Sequence, residues 1–338
     1  MTRCMVTLIS LGFFTLPVFG DEREWLKAKA LKPGDTIALV FPAGPMDITP
    51  VKQYAERMRK AGYKVLMTDK ERRNNYLAGT DDERANELNA ALRDPKVNAI
   101  FACRGGYGLT RILARLDYDA IRKNPKIVTG YSDITALHLA IAKKAKVISF
   151  HATMGDIFDP AKENIYAVTT WRRALFADQY PKSQVGYTVT VPKELTPVKV
   201  VGGKALGRLM GGNLTLICST LGTPFAIEPK AAILLIEDVN EAPYRVDRSL
   251  SQLRLAGVLD QISGVVIGGF TTKEPAEQEE IKRVLLEYFG KAKYPVIMNF
   301  PVGHINLNGT LPHGAMMELD GDKAILKVLE NPVLLNEK

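Results

Sequence analysis

Residues 126–138 read K-I-V-T-G-Y-S-D-I-T-A-L-H, and this stretch decides the fold of the first half of the chain. The β-branched residues 127–129 are typical of the end of a buried strand. Gly130 permits a sharp turn, and a helical pattern of apolar residues begins after Asp133. The sequence therefore places Ser132 where a strand turns directly into a helix.

Two interpretations of Ser132 follow from this position. A serine on a strand-to-helix turn can present its hydroxyl as a nucleophile, beside backbone N–H groups at the helix start. The match to the hydrolase pattern G-x-S-x-G is partial, because Ile134 stands where the second glycine belongs. Serine is also a common helix cap, and this stretch alone leaves both interpretations open.

Strands and helices alternate around this turn, which predicts an α/β fold with a mainly parallel, doubly wound sheet. The capping box T-D-D-E at 80–83 predicts the start of one helix. In the first domain (25–176), the sequence predicts strands at 35–41, 63–67, 97–103 and 146–150 and helices at 51–61, 80–92 and 109–116.

A polar segment with two prolines, 177–197, is predicted to link this domain to a second one at 198–335. The second domain has its own alternation of apolar strands and helices. The predicted elements are strands 198–201, 231–237, 264–270 and 296–300, helices 214–221, 245–256 and 277–289, and a hairpin at 316–329.

Composition limits the function. The 338 residues are 46% hydrophobic and 24% charged, as in an ordinary globular protein. The net charge is +8, but no dense run of lysine and arginine is interleaved with aromatic residues. We therefore expect no nucleic-acid partner, whereas a diffuse positive charge is compatible with anionic cell-wall polymer.

The N-terminus has the layout of a secretory signal peptide over residues 1–20. Arg3 precedes an apolar run that ends in V-F-G, and charged residues follow from Asp21. The run is short for a membrane span, so we expect cleavage, a periplasmic or secreted protein, and no stable membrane anchor afterwards. An uncleaved anchor is the alternative.

Only Cys103 and Cys218 remain after such cleavage. Both lie in apolar segments and are typical of small buried residues. A disulfide between them stays open at this point, since their spacing does not argue for one. No cluster of cysteine and histidine has metal-ligand spacing, so no metal is expected.

Three groups of residues at predicted strand ends could carry chemistry. R-G-G-Y-G at 104–108 can offer backbone N–H groups to an anion, Glu237 ends an apolar strand, and His304 follows another. Each also has an ordinary explanation: a tight turn, a surface charge or a structural histidine.

Taken together, the motifs resemble the LD-carboxypeptidase family, whose relatives include the microcin C self-immunity peptidases. The resemblance runs over about residues 34–329. The motifs that carry it are R-G-G-Y-G at 104–108, G-Y-S-D-I-T-A-L at 130–137, M-G-G-N-L-T-L-I at 210–217, L-L-I-E-D-V-N-E-A-P-Y-R-V-D-R at 234–248, and P-V-G-H at 301–304 with L-P-H-G at 311–314.

This resemblance implies a Rossmann-like N-terminal domain and a smaller, mainly β C-terminal domain. It also implies a catalytic triad of Ser132, Glu237 and His304. The backbone N–H groups of Gly106 and Asp133 would then form the oxyanion hole. A homodimer that needs no metal or other cofactor is implied as well.

The implied substrates are murein tetrapeptides, from which a serine carboxypeptidase would release the terminal D-alanine. By its position, Arg104 is a candidate to bind the terminal carboxylate, with a structural ion pair as the alternative. Two other functions remain open: hydrolysis of a peptidyl-nucleotide with the same triad, and a periplasmic module that binds peptides without cleaving them.

Overall fold

The computed structural model describes residues 23–154, 164–179 and 185–335. The signal peptide predicted for residues 1–20 lies outside these residues. Within the described ranges, no helix is long and apolar enough to cross a membrane.

The first half of the chain forms a parallel sheet with helices in its crossovers, as predicted. Strand β1 is the second from one end, next to β2, and the order β5-β4-β3-β1-β2 is parallel throughout. The elements are β1 (Thr36–Val40), α1 (Thr49–Lys60), β2 (Lys64–Met67), α2 (Asp81–Arg93), β3 (Val97–Ala102), α3 (Tyr118–Lys123), β4 (Ile127–Gly130), α4 (Ile134–Ala145), β5 (Ser149–His151) and α5 (Ile165–Leu175).

The described residues of the second half form a larger mixed sheet with three α-helices. Its elements are β6 (Tyr187–Thr188), β7 (Val198–Val201), β8 (Lys204–Asn213), α6 (Leu214–Thr220), β9 (Ile233–Asp238), α7 (Pro243–Leu255), β10 (Gly264–Phe270), α8 (Gln278–Phe289), β11 (Val296–Met298), β12 (Leu311–His313), β13 (Met316–Asp320) and β14 (Ile325–Val328). The eight strands follow the order β6-β14-β13-β8-β9-β10-β11-β7.

Strand β12 belongs to the second half of the sequence but completes the first sheet. It pairs antiparallel with β5, so that Leu311 lies opposite His151. A second connection runs from the end of β8 to α4, where the backbone N–H of Asn213 donates to Thr135 Oγ1 at 3.0 Å. The two sheets are therefore fixed against each other near the start of α4.

Several local predictions are confirmed and others are corrected. Thr80 caps α2 with the predicted capping box, and β13 and β14 form the predicted hairpin. The helix predicted at 109–116 is instead two short 3₁₀ helices, Leu109–Arg111 and Leu113–Arg115, which meet at Ile112. Strand β6 lies inside the predicted linker and pairs with β14.

The two cysteines are buried, free thiols, so no disulfide joins them. Burial raises the pKa of Cys218 to about 11. A thiol held neutral in this way is a poor nucleophile. Both residues therefore serve as core side chains.

Candidate active site

Ser132 lies on a strained turn between β4 and α4. Its φ is +63°, in the left-handed region that non-glycine residues seldom adopt. Gly130, two residues earlier, has φ +154°, and a Cβ there would lie 2.7 Å from the Ile134 side chain. Only glycine fits at that position, so the tight turn before Ser132 depends on it.

The interpretation of Ser132 as a helix cap is wrong. Asp133, not Ser132, is the N-cap residue of α4, and no side chain makes a capping hydrogen bond there. In the part of the chain that the structure describes, the Ser132 hydroxyl has no hydrogen-bond partner. The hydroxyl is therefore available for another role.

The glycine loop at 104–108 packs directly on Ser132. A Cβ added to Gly105 would lie 3.0 Å from Ser132 Cβ and 3.2 Å from Ser132 Oγ. The Gly105 carbonyl accepts a hydrogen bond from the Gly44 N–H at 2.8 Å. The Gly44 loop, for which the sequence predicts no role, therefore supports the glycine loop from its far side.

Asp133 fixes the other end of the same loop. Its Oδ2 accepts a hydrogen bond from the backbone N–H of Leu109 at 2.9 Å. Burial raises the pKa of Asp133 to about 6, and the Leu109 hydrogen bond opposes that shift. This role of the Asp133 side chain was missed from the sequence, where only its backbone N–H was considered.

Two backbone amides are available beside Ser132. A Cβ on Gly105 would lie 3.4 Å from the nitrogen of Asp133, so the glycine loop and the start of α4 converge here. Among the described residues, neither the Gly106 N–H nor the Asp133 N–H donates to a protein acceptor. Unengaged amides in this arrangement can bind an anion or an oxyanion.

Glu237 and His304 form a close pair. His304 Nδ1 lies 2.6 Å from Glu237 Oε2, and the His304 backbone N–H donates to the same oxygen at 3.2 Å. Glu237 is the penultimate residue of β9 and is fully buried, whereas the His304 side chain is 15% exposed. The carboxylate thus fixes the orientation of the imidazole and leaves Nε2 for other contacts.

The surroundings of Glu237 are apolar and tight. Burial raises the pKa of Glu237, and its hydrogen bonds with His304 oppose that shift. Gly303 has φ +103°, and a Cβ there would lie 2.7 Å from Glu237 Oε2. A glycine before the histidine is therefore needed for the carboxylate and the imidazole to meet.

The structure brings the Glu237–His304 pair next to the Ser132 turn. The ring of Tyr131 lies 4.8 Å from the His304 ring, measured between centroids. No hydrogen bond joins the Ser132 hydroxyl to His304 in the described residues. In unliganded enzymes, such hydrogen bonds are often long and tighten only when substrate binds.

The other three histidines are fully buried. His138 bonds the Ser149 hydroxyl at 2.8 Å and the Gly130 carbonyl at 2.9 Å, and burial lowers its pKa to about 4. His313 is the last residue of β12 and accepts from the Gly211 N–H at 3.1 Å. Burial also lowers the pKa of His151. His304 is therefore the histidine that can reach a substrate.

Arg104 is exposed, and its guanidinium donates to the carbonyl of Pro45. Arg104 forms no ion pair with any carboxylate in the described ranges, so the structural ion pair considered for it is wrong. Within those ranges, no cluster of three histidine, cysteine, aspartate or glutamate side chains could hold a metal ion.

Comparison with known proteins covers both halves of the chain. The family described as the LD-carboxypeptidase N-terminal domain matches residues 37–152. The family described as the LD-carboxypeptidase C-terminal domain matches residues 206–319. The first match contains Ser132, and the second contains Glu237 and His304.

Individual proteins of this family are similar to the chain over most of its length. The "probable murein peptide carboxypeptidase" of Bacillus subtilis is 37% identical over 294 residues, covering 86% of this chain and 90% of the relative. The microcin C7 self-immunity protein MccF of Escherichia coli is 29% identical over 335 residues, covering 90% and 96%.

Solved structures have the same fold. MccF in complex with glutamyl sulfamoyl guanosine superposes with a TM-score of 0.81 at 27% identity, covering 91% of this chain and all of that one. A muramoyltetrapeptide carboxypeptidase from Oxalobacter formigenes gives a TM-score of 0.73 at 26% identity, covering 87% and 97%.

Proposed function

Because the chain belongs to the LD-carboxypeptidase family and is a serine-type carboxypeptidase, we propose that it releases the terminal D-alanine of murein tetrapeptides. The bond cleaved joins the L-centre of diaminopimelate or lysine to that D-alanine. The observation that carries the proposal is the 2.6 Å contact between the buried Glu237 carboxylate and the partly exposed His304, beside the strained Ser132 turn. A role in binding without cleavage gives no reason for this arrangement.

In the proposed mechanism, the Ser132 hydroxyl attacks the scissile carbonyl while His304 Nε2 takes its proton. Glu237 holds the proton on Nδ1, so that Nε2 is free to act as a base, and stabilises the imidazolium that forms. His304 then returns the proton to the leaving amine of D-alanine. Water repeats the sequence on the acyl-enzyme and restores Ser132.

The negative oxygen of the tetrahedral intermediate would be bound by the N–H groups of Gly106 and Asp133. Both amides lack a protein acceptor in the described residues, and both belong to backbone held by contacts around Ser132. Donors fixed before the reaction need no reorganisation as charge develops. The glycine loop thus stabilises the transition state as well as packing against the nucleophile.

A carboxypeptidase must also recognise a free C-terminal carboxylate. Arg104 supports this role, because its exposed guanidinium has no competing carboxylate among the described residues and follows the same strand as the glycine loop. A guanidinium can grip a carboxylate with two hydrogen bonds. The Pro45 carbonyl would orient it.

The remaining parts of the proposal concern location and assembly. Removal of residues 1–20 would place the enzyme in the periplasm or outside the cell, where it would trim tetrapeptides in cell-wall remodelling rather than recycling. The positive net charge of +8 favours contact with anionic envelope material. We also expect a homodimer.

A second candidate keeps the triad and changes the substrate to a peptidyl-nucleotide. The observation in its favour is the likeness to MccF, with a TM-score of 0.81 for its complex with glutamyl sulfamoyl guanosine. The two candidates differ in what lies on either side of the scissile bond, not in the chemistry at Ser132.

One experiment tests both. Purified protein is incubated with murein tetrapeptide and, separately, with an aminoacyl-sulfamoyl adenylate, and release of D-alanine or of the sulfamoyl nucleoside is followed. We expect D-alanine release by the wild type and a loss of about 10⁴-fold or more in the Ser132→Ala variant. Unchanged D-alanine release by Ser132→Ala would overturn the mechanism, and preference for the adenylate would select the second candidate.

A further inference from the structure

Two exposed tyrosines, one of them in the glycine loop at 104–108, contact each other. Tyr76 is 62% exposed and Tyr107 is 48% exposed. Their ring centroids are 5.8 Å apart with the planes inclined at 58°. Large exposed aromatic side chains that contact each other commonly mark a binding surface. We call Tyr76 and Tyr107 the tyrosine pair.

The tyrosine pair is held on rigid backbone. Tyr76 is at the tip of a tight turn closed by two hydrogen bonds between Asn74 and Leu77, at 2.8 and 2.9 Å. The fully buried Arg84 donates to the carbonyl of Gly108, next to Tyr107, at 2.9 Å. The rings are thus presented in fixed places, which lowers the entropic cost of binding.

The pair also borders Ser132. Tyr107 is two residues from Gly105, which packs on the Ser132 side chain. On the other side of Gly105, a Cβ added to Gly44 would lie 2.9 Å from the Gly105 carbonyl and 3.7 Å from the Tyr76 carbonyl. An extended peptide spans about 3.3–3.6 Å per residue, so the three residues before the scissile bond reach about 10 Å. Beyond those three residues the stem peptide is joined to its sugar; Tyr107 is in the loop that packs on Ser132, and Tyr76 is in a loop beside Gly44.

A polar pair lies beside the rings. Arg111 binds Asp81 with two parallel hydrogen bonds, from Nε to Oδ1 and from Nη2 to Oδ2, each 2.9 Å. Asp81 also accepts a hydrogen bond from Arg84, which donates to the Gly108 carbonyl next to Tyr107. The site therefore combines aromatic faces with planar groups that donate and accept hydrogen bonds.

We propose that the tyrosine pair binds the amino-sugar ring that carries the stem peptide, so that the enzyme prefers glycan-linked tetrapeptides to free ones. This inference rests on the proposed function. The C–H face of a pyranose packs on an aromatic ring, and its hydroxyls can bond the Asp81–Arg111 pair. A nucleotide is a poorer fit, because the charge of Arg111 is already neutralised and the Asp81 carboxylate repels phosphate.

The test compares two substrates for each protein: free tetrapeptide and N-acetylglucosaminyl-N-acetylmuramoyl-tetrapeptide. The quantity measured is the ratio of kcat/KM for the glycan-linked substrate to kcat/KM for the free one. We expect a wild-type ratio of about ten, equivalent to ~1.4 kcal/mol, and a ratio near one for Tyr76→Ala. Tyr76→Phe keeps the ring and should restore the ratio.

The matched control is Tyr244→Ala, another tyrosine of similar exposure, 58%, which lies on α7 away from the glycine loop. Its ratio should equal that of the wild type. A wild-type ratio of one, or a ratio that Tyr76→Ala leaves unchanged, overturns the inference. Inhibition by free nucleosides that is lost in Tyr76→Ala also overturns it. Failure of the proposed function gives a different result, namely no D-alanine release from either substrate by the wild type.

Discussion

Around Ser132 the backbone does most of the positioning, whereas around His304 a buried carboxylate does it. Ser132 has a left-handed φ of +63° and is packed by glycines that leave no room for a side chain. His304 instead depends on a 2.6 Å hydrogen bond to a carboxylate with no solvent exposure. We call Ser132 and the glycine loop the nucleophile half of the site, and Glu237 with His304 the base half. Activity should therefore be sensitive to small changes in shape in the nucleophile half and to changes in charge in the base half.

The largest effect should come from changing charge in the base half. Glu237→Gln keeps the size of the side chain but removes the negative charge, and its amide N–H can donate to Nδ1 and so hold the imidazole in the wrong tautomer. We expect kcat for D-alanine release to fall by about 10⁴-fold, the size of the corresponding loss in other triads. Steady-state kinetics at saturating substrate measures it.

The control for this variant is Glu287→Gln, which neutralises an exposed carboxylate on α8. It should keep wild-type kcat. A loss of less than tenfold in Glu237→Gln would show that the charge is not what the base half requires.

A smaller effect should follow from adding one methyl group to the nucleophile half. Gly105 does not have a positive φ, so alanine fits its backbone, but the new Cβ would lie 3.0 Å from Ser132 Cβ. Ser132 must shift by a few tenths of an ångström or more. A misplacement of about 1 Å can cost 10²-fold, so this smaller displacement is expected to lower kcat about tenfold for Gly105→Ala.

Thermal unfolding serves as the control for Gly105→Ala. A midpoint within a few degrees of the wild type, together with the loss of kcat, assigns the effect to geometry. Wild-type kcat in this variant would mean that the contact between the loop and Ser132 has no part in catalysis.

The nucleophile half could be predicted from local sequence, whereas the base half could not. The strand-to-helix turn at Ser132 was predictable from local pattern, since β-branched residues, a glycine and a helical periodicity follow one another there. The pairing of Glu237 with His304, 67 residues apart, came only from the resemblance to a family. No local rule brings two strand ends of different strands together.

Other features depended on tertiary contacts. Strand β8 was not predicted, because adjacent glycines such as Gly211 and Gly212 are typical of a turn. They belong to a strand here because Gly212 packs closely on Thr135 and His151. The partner of β5 could not be predicted either, because L-P-H-G reads as a turn and β12 is fixed by pairing with a distant strand.

The last effect expected concerns stability around Asp133 and not the reaction rate. Its pKa is about 6 in the folded protein against an ordinary 3.8, so folding takes up a proton between these values. The associated stability is present below the ordinary pKa and is lost as pH rises through about 6. The loss should amount to roughly 2–3 kcal/mol by pH 7.5.

Asp133→Asn removes this dependence while leaving an oxygen for the Leu109 N–H. Urea unfolding at pH 4 and pH 7.5 should therefore show the variant gaining stability relative to the wild type as pH rises. A constant difference between the two proteins across this range would contradict a buried, proton-binding Asp133.

A pair of substitutions tests most directly whether the two halves of the site act as one catalytic unit. The measurement is kcat for D-alanine release by Ser132→Ala, His304→Ala and the double variant. When two groups act as one unit, removing either one already abolishes the contribution of both to the rate. The double variant should therefore have a kcat no lower than that of the slower single variant. A double variant slower by the product of the two single losses would show that Ser132 and His304 act independently, and would contradict the account.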